Sequence, residues 1–393
     1  MAPCVPRPLW PPRSAQAALL CAAALAVCAF YYLGSERHSF SSNSRRIKLG
    51  RAGGGRPTDR GPVRQGAGAQ EPGVGVSLRP GVGSLQPGVG VSLGPGAQQL
   101  HVLMMLTKAD TNPALRARLA VAVRSMVERA ELRDGEQLHL HLVTDPASRR
   151  LGEPLVREQL RAAAFHCQLT FHDVDTMTHE LFPVVEPMQQ LFSAGAGSYY
   201  SDSIFFLSVA MHRIMPAELT HIVQLDLDVK YMSNIRELFE EFDKFQPGAV
   251  LGIAREMQPV YRHTFWQYRQ ENPHTKVGDP PPDGLPGFNS GVLLLNLQAM
   301  RQSALYNQLL DAEKVRKLAD KYHFKGHLGD QDFFTLIGME HMELFHVLHC
   351  SYNRQLCTWW RDHGYSDIFH LYFKCDGKVK IYHGNCNTPI PDE

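Results

Sequence analysis

Two carboxylates separated by one residue end an apolar run at residues 224–230, which read QLDLDVK. Because side chains alternate along a strand, we expect Asp226 and Asp228 to lie on one side of it. Hard oxygen ligands suit Mn²⁺ or Mg²⁺, and such an ion can neutralise a departing diphosphate. An isolated pair also fits an ordinary solvated strand end, and Asp173 and Asp175 form a second pair. The metal assignment therefore depends on other segments.

Three later segments contain polar residues that would complete such a site. Residues 286–292 read PGFNSGV, whose small residues would let a sugar approach the backbone. Residues 326–332 read GHLGDQD, and clustered carboxylates are costly unless they are exposed or functional. Residues 382–386 read YHGNC, in which the imidazole of His383 is a competent Mn²⁺ ligand. Taken singly, these segments also fit a turn before a buried strand, an exposed helix start and a structural histidine.

The elements that position these groups are predicted from hydrophobic periodicity. Apolar runs predict strands at residues 101–106, 138–143, 167–171 and 222–228. Helical spacing predicts helices at residues 113–132 and 199–214, and Asn234 is an N-cap for a helix at 235–242. Helices that alternate with apolar strands predict an α/β domain around a mostly parallel sheet. Ligands of such sheets bind at the carboxyl ends of the strands, where the predicted carboxylate pair lies.

The N-terminal quarter of the chain differs in composition from the rest. Residues 17–34 form an uncharged apolar run that would span roughly 27 Å as a helix. The run lacks a small-residue cleavage site, which favours a transmembrane signal-anchor over a cleaved signal peptide. Residues 35–99 are rich in Gly, Pro, Ser and Arg and predict a flexible stem. We therefore expect a short cytosolic tail at 1–16 and one luminal catalytic domain at 100–393.

Cysteine usage supplies the membrane orientation. More basic residues follow the apolar run than precede it, which alone favours a cytosolic C-terminus. However, Cys350, Cys357, Cys375 and Cys386 crowd the C-terminal end without a zinc-type CxxC spacing. Disulfides in an oxidising lumen explain them better than free thiols, and three pairings are open. The 393-residue chain is 44% apolar, enough for a large core, and its net charge of +1 does not predict nucleic acid as a partner.

The strand at 101–106, LDLD, FNSGV, HLGDQD and the terminal HG, in this order, resemble the family 8 retaining glycosyltransferases. The resemblance covers about residues 100–393 and implies a single Rossmann-like α/β domain of the GT-A fold. At closer range AREMQPVYRHTFWQ, GLPGFNSGV, GHLGDQDFFT, NRQLCTWWRDHGYSD and IYHGNCNTPIP are similar to xylosyltransferases of this family. That likeness implies retaining transfer of xylose from UDP-xylose, in an α1,3 linkage, onto the xylose-α1,3-glucose disaccharide on EGF repeats of proteins such as Notch. It also implies a single-pass type II protein of the endoplasmic reticulum membrane, and it leaves a homodimer open.

The resemblance also implies roles for individual residues. Asp226, Asp228 and His383 would hold Mn²⁺, with Mg²⁺ as the alternative ion. The donor-binding residues would be Met104, Met105, Leu106, Leu227, Asn289, Ser290, Leu328, Gln331 and Asn385. The acceptor-binding residues would be His263, Trp360 and Asn385. Asp330 and Gln331 are the candidates for catalysis, and the implied disulfides are Cys350–Cys375 and Cys357–Cys386.

One departure from the family pattern concerns the C-terminal motif. Many members carry HxxGxxKPW there, whereas this chain has His383-Gly384 and ends in Thr388-Pro389, so a substitute such as Lys325 would have to supply the phosphate-binding cation. Retention requires either a covalent intermediate, for which Asp330 is the obvious nucleophile, or attack on the face that the diphosphate leaves, which we favour. The alternative functions are transfer of another UDP-hexose, UDP-sugar hydrolysis, and glycan binding without catalysis.

Overall fold

The computed structural model describes residues 98–193 and 203–392. Its strands are β1 (Gln98–Leu106), β2 (Glu136–Thr144), β3 (Cys167–Asp173), β4 (His221–Leu225), β5 (Val229–Tyr231), β6 (Leu251–Arg255), β7 (Phe288–Asn296), β8 (Phe345–Leu348), β9 (Arg354–Gln355) and β10 (Ile381–His383). Seven of them form one sheet in the order β3-β2-β1-β4-β7-β6-β8. Within it, β7 runs antiparallel to β4 and β6, and the other neighbours are parallel. The sheet is therefore mixed and mostly parallel, as expected.

Helices cover both faces of this sheet. The α-helices are α1 (Pro113–Arg129), α2 (Pro146–Arg161), α3 (Val174–Phe192), α4 (Leu207–Ile214), α5 (Arg236–Phe239), α6 (Val260–Thr264), α7 (Trp266–Glu271), α8 (Leu297–Gln302), α9 (Ala304–Leu309), α10 (Ala312–Lys321), α11 (Asp330–Gly338), α12 (Trp359–Asp362) and α13 (Phe369–Phe373). Short 3₁₀ turns lie at Ser203–Phe206, Glu240–Lys244, Met342–Leu344, Cys350–Asn353 and Asn385–Asn387. None of the helices in the described part of the chain is long and apolar enough to span a bilayer. The predicted tail, anchor and most of the stem lie outside the described residues.

The two faces of the sheet are separated by the alternation of side chains along each strand. On β1, Val102 and Met104 point into a core that α1 and α2 cover, whereas Leu103 points into a core that α3, α4 and α11 cover. Helix α1 begins as its sequence predicts, because the Asn112 side chain accepts a bond from the Ala114 amide and Pro113 occupies the first turn. The fold thus fixes the strand ends rigidly between two helical layers.

A small second sheet brings the C-terminal segment to the end of β4. Its strands lie in the order β5-β10-β9, with β10 antiparallel to β5 and parallel to β9. His383, the last residue of β10, pairs with Val229 and with Gln355. Two disulfides, Cys350–Cys375 and Cys357–Cys386, close this region in the pairing that the resemblance implied.

Two sequence predictions about local structure need correction. Strand β4 ends at Leu225, so Asp226 and Asp228 lie in the turn before β5 and do not alternate along a strand. The Asp226 amide still donates to the Gly291 carbonyl at 2.9 Å, one residue beyond the last pair of the β4–β7 ladder, and the chain turns after it. The predicted helix at 199–214 consists of a 3₁₀ turn at Ser203–Phe206 followed by α4, with residues 199–202 outside the described chain.

Candidate metal and active site

The three predicted metal ligands meet at the carboxyl end of β4. Asp226 and Asp228 come from the β4–β5 turn and His383 from the end of β10. The Nε2 atom of His383 lies 3.5 Å from a carboxylate oxygen of each aspartate. One ligand atom from each residue falls within 4.8 Å of the others. The structure therefore brings together the three metal ligands that the resemblance implied. They come from segments about 155 residues apart in the sequence.

The ring orientation of His383 is set by a neighbour that the sequence did not reveal. Its Nδ1 lies 2.9 Å from the Asn353 Oδ1 atom. The Asn353 amide group donates from Nδ2 to Asn289 Oδ1 at 2.9 Å, so its oxygen faces the imidazole. His383 therefore donates from Nδ1 and presents Nε2 to the two carboxylates. A hydrogen-bond partner on Nδ1 fixes the tautomer in which Nε2 can bind a metal ion.

A glycine lies against the same ring. A Cβ atom added to Gly291 would lie 2.6 Å from His383 Nδ1 and even closer to Cε1. No side chain fits in that space, so the imidazole packs directly on the backbone of β7. The glycine of the FNSGV segment thus places the metal ligand, which is a role that its position in the sequence does not indicate.

The electrostatics of the cluster suit a cation. Burial alone would lower the pKa of His383, but its bonds to Asp226 and Asp228 and their charges raise the pKa to about 10. Burial would raise the pKa of Asp228, yet His383 and the Arg118 guanidinium hold it below its usual value. A proton on His383 thus supplies positive charge that the carboxylates require. One imidazole nitrogen and hard carboxylate oxygens fit a divalent ion such as Mn²⁺ or Mg²⁺.

Asp330 lies at the start of α11 and is held by two hydroxyl groups. Its Oδ2 accepts from Ser208 Oγ at 2.5 Å and its Oδ1 accepts from Ser290 Oγ at 2.9 Å. Burial raises its pKa to about 7, and the charge of Asp226 adds to that shift. Both carboxylate oxygens are therefore engaged by the protein. Ser208, which the sequence analysis did not select, belongs to α4 and reaches this site across the fold.

Gln331 is fixed from several sides. Its Oε1 accepts from the Ser290 amide at 3.2 Å, and its Nε2 lies 3.3 Å from Glu256 Oε2 and 3.2 Å from the Tyr261 hydroxyl. Asn289 donates to the same Glu256 oxygen at 3.1 Å. The amide of Gln331 keeps one lone pair on Oε1 for a substrate.

Glu256 joins the donor-site amides to the metal ligand. Burial raises its pKa to about 7, and its Oε1 has no hydrogen-bond partner among the described residues. Through Asn289 and Asn353, its hydrogen bonds continue to His383. Glu256 and Asn353 both lie in segments that carried the family resemblance, but spacing alone did not indicate their contacts.

The predicted nucleotide-binding residues lie at the end of β1. Met104 and Leu106 are 1% and 0% exposed and belong to the core. Pairing between β1 and β4 ends at Met104 opposite Leu225, and β1 continues past that point through the half-buried Met105. This extension offers a strand edge to a base.

The two predicted leucines lie on opposite sides of the sheet. Leu227 is half-buried in the β4–β5 turn and packs against the α1-side core. Leu328 is half-buried in the loop before α11 and packs against the other core. The amide of Leu328 donates to Asp332 at 2.6 Å, which ties this loop to the first turn of α11.

The predicted acceptor residues form an aromatic cluster. His263 is exposed, its ring centre lies 5.0 Å from that of Trp360, and its Nδ1 lies 3.0 Å from the Tyr365 hydroxyl. Trp359 meets Trp360 edge-on at 4.9 Å and is 50% exposed. Flat aromatic faces of this kind can pack on a sugar ring.

Asn385 connects that cluster to the metal ligand. Its Oδ1 accepts from the amides of Leu356 and Cys357 at 3.0 and 2.9 Å. The Leu356 amide also lies 3.0 Å from the His383 carbonyl, and Cys357 is bonded to Cys386. The segment before Trp360 is thus fastened to the end of β10.

The cation that lies beside the metal ligands is Arg118, whereas the sequence suggested Lys325. Lys325 is exposed in the loop before α11. Arg118, from α1, lies 3.8 Å from Asp228 Oδ2 and donates to Asn387 Oδ1 at 2.5 Å. The helical position of Arg118 and its remoteness from every motif explain why sequence reasoning missed it.

A mixed α/β sheet whose strand ends hold a carboxylate–histidine metal site defines a nucleotide-sugar transferase of the GT-A type. The chain belongs to glycosyl transferase family 8, whose family model matches residues 122–367, and it is a glycosyltransferase. It is 63% identical to "Xyloside xylosyltransferase 1" of Mus musculus over 382 residues, which cover 97% of this chain and 95% of that protein. The protein of the same name from Homo sapiens is 61% identical over 382 residues, with the same coverage. The crystal structure of the mouse protein in its apo form matches with a TM-score of 0.72 and 68% identity, covering 75% of this chain and all of that one.

Proposed function

We propose that this chain is a retaining xylosyltransferase that uses Mn²⁺ and UDP-xylose. It extends the xylose-α1,3-glucose disaccharide on EGF repeats of Notch-type glycoproteins by one α1,3-linked xylose. The observation that carries the proposal is the convergence of Asp226, Asp228 and His383 beside Asp330, in a chain with a 63% identical relative named "Xyloside xylosyltransferase 1". Transfer to a xyloside is what that name implies for this chain.

The mechanism that we propose is attack on the same face that the diphosphate leaves. When bound, the divalent ion stabilises the negative charge of the departing diphosphate. Asp226, Asp228 and His383 hold the ion, and the acceptor hydroxyl gives its proton to a phosphate oxygen of the donor. Asp330 is not the nucleophile in this mechanism, because both of its oxygens accept hydroxyl bonds and its raised pKa disfavours the ionised form that a nucleophile needs.

A trapping experiment tests this mechanism against the covalent one. The intact protein is incubated with UDP-xylose in the presence and absence of acceptor, quenched rapidly and digested for mass spectrometry. Same-face attack predicts an unmodified peptide around Asp330 under both conditions. A xylosyl adduct on Asp330 that forms and disappears at the rate of turnover would sink the proposal.

The donor and acceptor are tested with a panel of UDP-sugars. We expect turnover with UDP-xylose and an EGF repeat that carries xylose-α1,3-glucose, and much less with the same repeat that carries glucose alone. Comparable transfer from a UDP-hexose would identify the chain as a different transferase. Full-rate release of free sugar without acceptor would identify a hydrolase, and absence of metal-dependent UDP binding would identify a glycan-binding protein. Because a missing hydroxymethyl group is hard to sense by contact, discrimination against hexoses requires steric exclusion.

We propose that the cluster around Trp360 binds the acceptor sugar. Trp360→Ala should raise the KM for the glycosylated EGF repeat about tenfold, on the order of one aromatic stacking contact, and leave the KM for UDP-xylose unchanged. Phe182→Ala is the matched control, because Phe182 is 45% exposed on α3 without a predicted role. An equal rise in both KM values for Trp360→Ala would contradict the assignment.

The proposed location is the endoplasmic reticulum membrane, with residues 17–34 as a single-pass type II anchor. The two disulfides of the C-terminal region are consistent with an oxidising compartment. A C-terminal tag on the full chain should be protected from protease in intact microsomes and cleaved after detergent treatment. Cleavage in intact microsomes would reverse the proposed orientation. Sedimentation of the detergent-solubilised chain would decide whether it forms a homodimer.

A further inference from the structure

A buried carboxylate that the proposed mechanism does not use lies directly after β6. Glu256 is 3% exposed, and its amide donates to the Gly287 carbonyl at 3.0 Å. The Gln355 side chain holds the residues on either side, because its Nε2 donates to the Arg255 carbonyl at 3.0 Å and its Oε1 accepts from the Met257 amide at 2.9 Å. The backbone that carries this carboxylate is therefore fixed from β9 as well as from the main sheet.

One oxygen of Glu256 accepts hydrogen bonds from two amide side chains. Its Oε2 lies 3.1 Å from Asn289 Nδ2 and 3.3 Å from Gln331 Nε2. Because this oxygen accepts, each amide must turn its nitrogen toward Glu256 and its own oxygen away. The Oε1 atom has no hydrogen-bond partner among the described residues, so a proton on the carboxyl group would lie there and leave Oε2 an acceptor. Glu256 thus sets the orientation of both amides in either protonation state.

The orientation of Asn289 determines which nitrogen of the metal ligand carries a hydrogen. With its nitrogen on Glu256, Asn289 presents Oδ1 to Asn353 Nδ2 at 2.9 Å, and Asn353 presents Oδ1 to His383 Nδ1 at 2.9 Å. A reversed Asn289 would reverse Asn353 as well, and His383 would then carry its hydrogen on Nε2, the atom that faces the carboxylates. Asn289, Asn353 and His383 are all buried, so solvent does not replace a missing partner.

The second amide that Glu256 orients belongs to Gln331. The Ser290 amide donates to Gln331 Oε1 at 3.2 Å, and Gln331 Nε2 lies 3.2 Å from the Tyr261 hydroxyl. That hydroxyl donates to Asp332 at 2.8 Å, so it accepts from Gln331. A reversed Gln331 would place its nitrogen against the Ser290 amide, with a donor facing a donor. The acceptor on Glu256 therefore keeps the oxygen of a candidate catalytic amide toward the donor site.

We propose that Glu256 is a positioning residue, which sets the amide orientations of Asn289 and Gln331. Through Asn289 it also sets the tautomer of His383. This role rests on the proposed function, since it concerns the same metal centre and donor site. It requires an acceptor at the Oε2 position and does not require a negative charge. A carboxylate that served the bound ion by its charge would instead tolerate a small displacement but not neutralisation.

Two conservative substitutions separate these roles in the detergent-solubilised full chain. Glu256→Gln keeps an oxygen acceptor in place and removes the charge, so Mn²⁺ affinity and kcat should stay within about threefold of the wild-type values. Glu256→Asp keeps the charge and withdraws the acceptor by one methylene, so Mn²⁺ affinity and kcat should each fall about tenfold or more. The EPR signal of free Mn²⁺ gives the dissociation constant without a sugar substrate, and kcat is measured with saturating UDP-xylose and acceptor.

Gln258→Asn is the matched control for the shortened side chain. Gln258 lies two residues further along, is 4% exposed, and has an Oε1 atom without a partner among the described residues. It should retain the wild-type Mn²⁺ affinity. The proposal is overturned if Glu256→Asp binds Mn²⁺ and turns over normally, if Glu256→Gln is the variant that loses Mn²⁺, or if Glu256→Asp lowers only the thermal unfolding midpoint. Absence of Mn²⁺ binding by the wild-type protein would refute the proposed metal centre itself, and this role with it.

Discussion

Two histidines of this protein are similarly buried and yet differ in charge, because His383 is protonated and His141 is neutral at neutral pH. His383 is 3% exposed and His141 is 4% exposed. The pKa of His383 is raised to about 10, whereas that of His141 is lowered to about 2. Burial acts in the same direction on both rings, so the difference comes from their neighbours. Asp226 and Asp228 stabilise a proton on His383, whereas three imidazoles repel a proton on His141.

The comparison shows how one side chain serves two kinds of site. Beside carboxylates, a buried imidazole is a cation until a metal ion replaces its proton, and the oxygen-rich donor set favours Mn²⁺. Among other imidazoles, it is neutral and its nitrogens are hydrogen-bonded to the neighbouring rings. The carboxyl ends of the strands thus suit a charged substrate. The histidines on the face of the sheet, on β1, β2 and β3, instead link neighbouring strands to one another.

The largest effect is expected from removing a carboxylate at the strand ends. Asp226→Ala should reduce metal-dependent turnover about a thousandfold or more, because the variant loses both an ion ligand and the charge that the diphosphate site needs. Asp175→Ala is the matched control, since it alters the second Asp-x-Asp pair at the exposed start of α3. Initial rates with saturating UDP-xylose and Mn²⁺ measure the effect. Normal manganese-dependent turnover by Asp226→Ala would refute the metal assignment.

A smaller loss should follow from displacing His383 without altering it. Gly291→Ala places a methyl group where the imidazole now lies, so we expect the ring to shift by about an ångström and turnover to fall about a hundredfold. Gly252→Ala on the neighbouring strand controls for crowding of the core, because its methyl group would meet Leu294 and Phe245 at 3.1 Å. The Mn²⁺ dissociation constant and kcat are measured for both. Loss of activity in Gly252→Ala alone would show that His383 tolerates the shift.

The pH dependence of metal binding distinguishes the two histidine environments. Because the pKa of metal-free His383 is about 10, the ring is protonated throughout the neutral range and releases one proton when an ion binds. Mn²⁺ affinity should therefore rise about tenfold per unit between about pH 6.5 and 8.5. A neutral imidazole such as His141 has no proton to release in this range, so the slope is diagnostic of His383. Isothermal titration in buffers of different ionisation enthalpy counts the released protons, and a pH-independent Mn²⁺ affinity would contradict the His383 assignment.

The sequence predicted the elements better than the contacts between them. Periodicity located α1 and the strands β1 to β4 within a few residues, because each of these elements alternates or repeats its apolar residues. It placed Asp226 and Asp228 on a continuing strand, whereas the ladder stops at Leu225 and both lie in a turn. Strand β7 runs on to Phe288 and pairs there with β6 only, and the sequence of β4 carries no signal of where its own pairing stops.

The rest of the site depends on contacts between distant segments. Family resemblance supplied His383, but Asn353, which orients its ring, and Gly291, on which it packs, are recognised only once β7 and β10 are side by side. The resemblance likewise assigned nucleotide contacts to Met104 and Leu106, whose side chains are core residues. Strand alternation turns both side chains into the core that α1 and α2 cover, so neither is available to a nucleotide.

The smallest effect is expected from the cation that lies beside the carboxylates. Arg118→Met should raise the KM for UDP-xylose by up to about tenfold, because a guanidinium 3.8 Å from Asp228 is close enough to pair with a diphosphate held there. Lys325→Met removes the cation that the sequence suggested, and we expect it to be neutral, since Lys325 is exposed before α11. Steady-state kinetics at fixed Mn²⁺ separate KM from kcat for both variants. A larger KM rise in Lys325→Met than in Arg118→Met would mean that the α11 loop closes over the donor, and that Arg118 only buttresses Asp228.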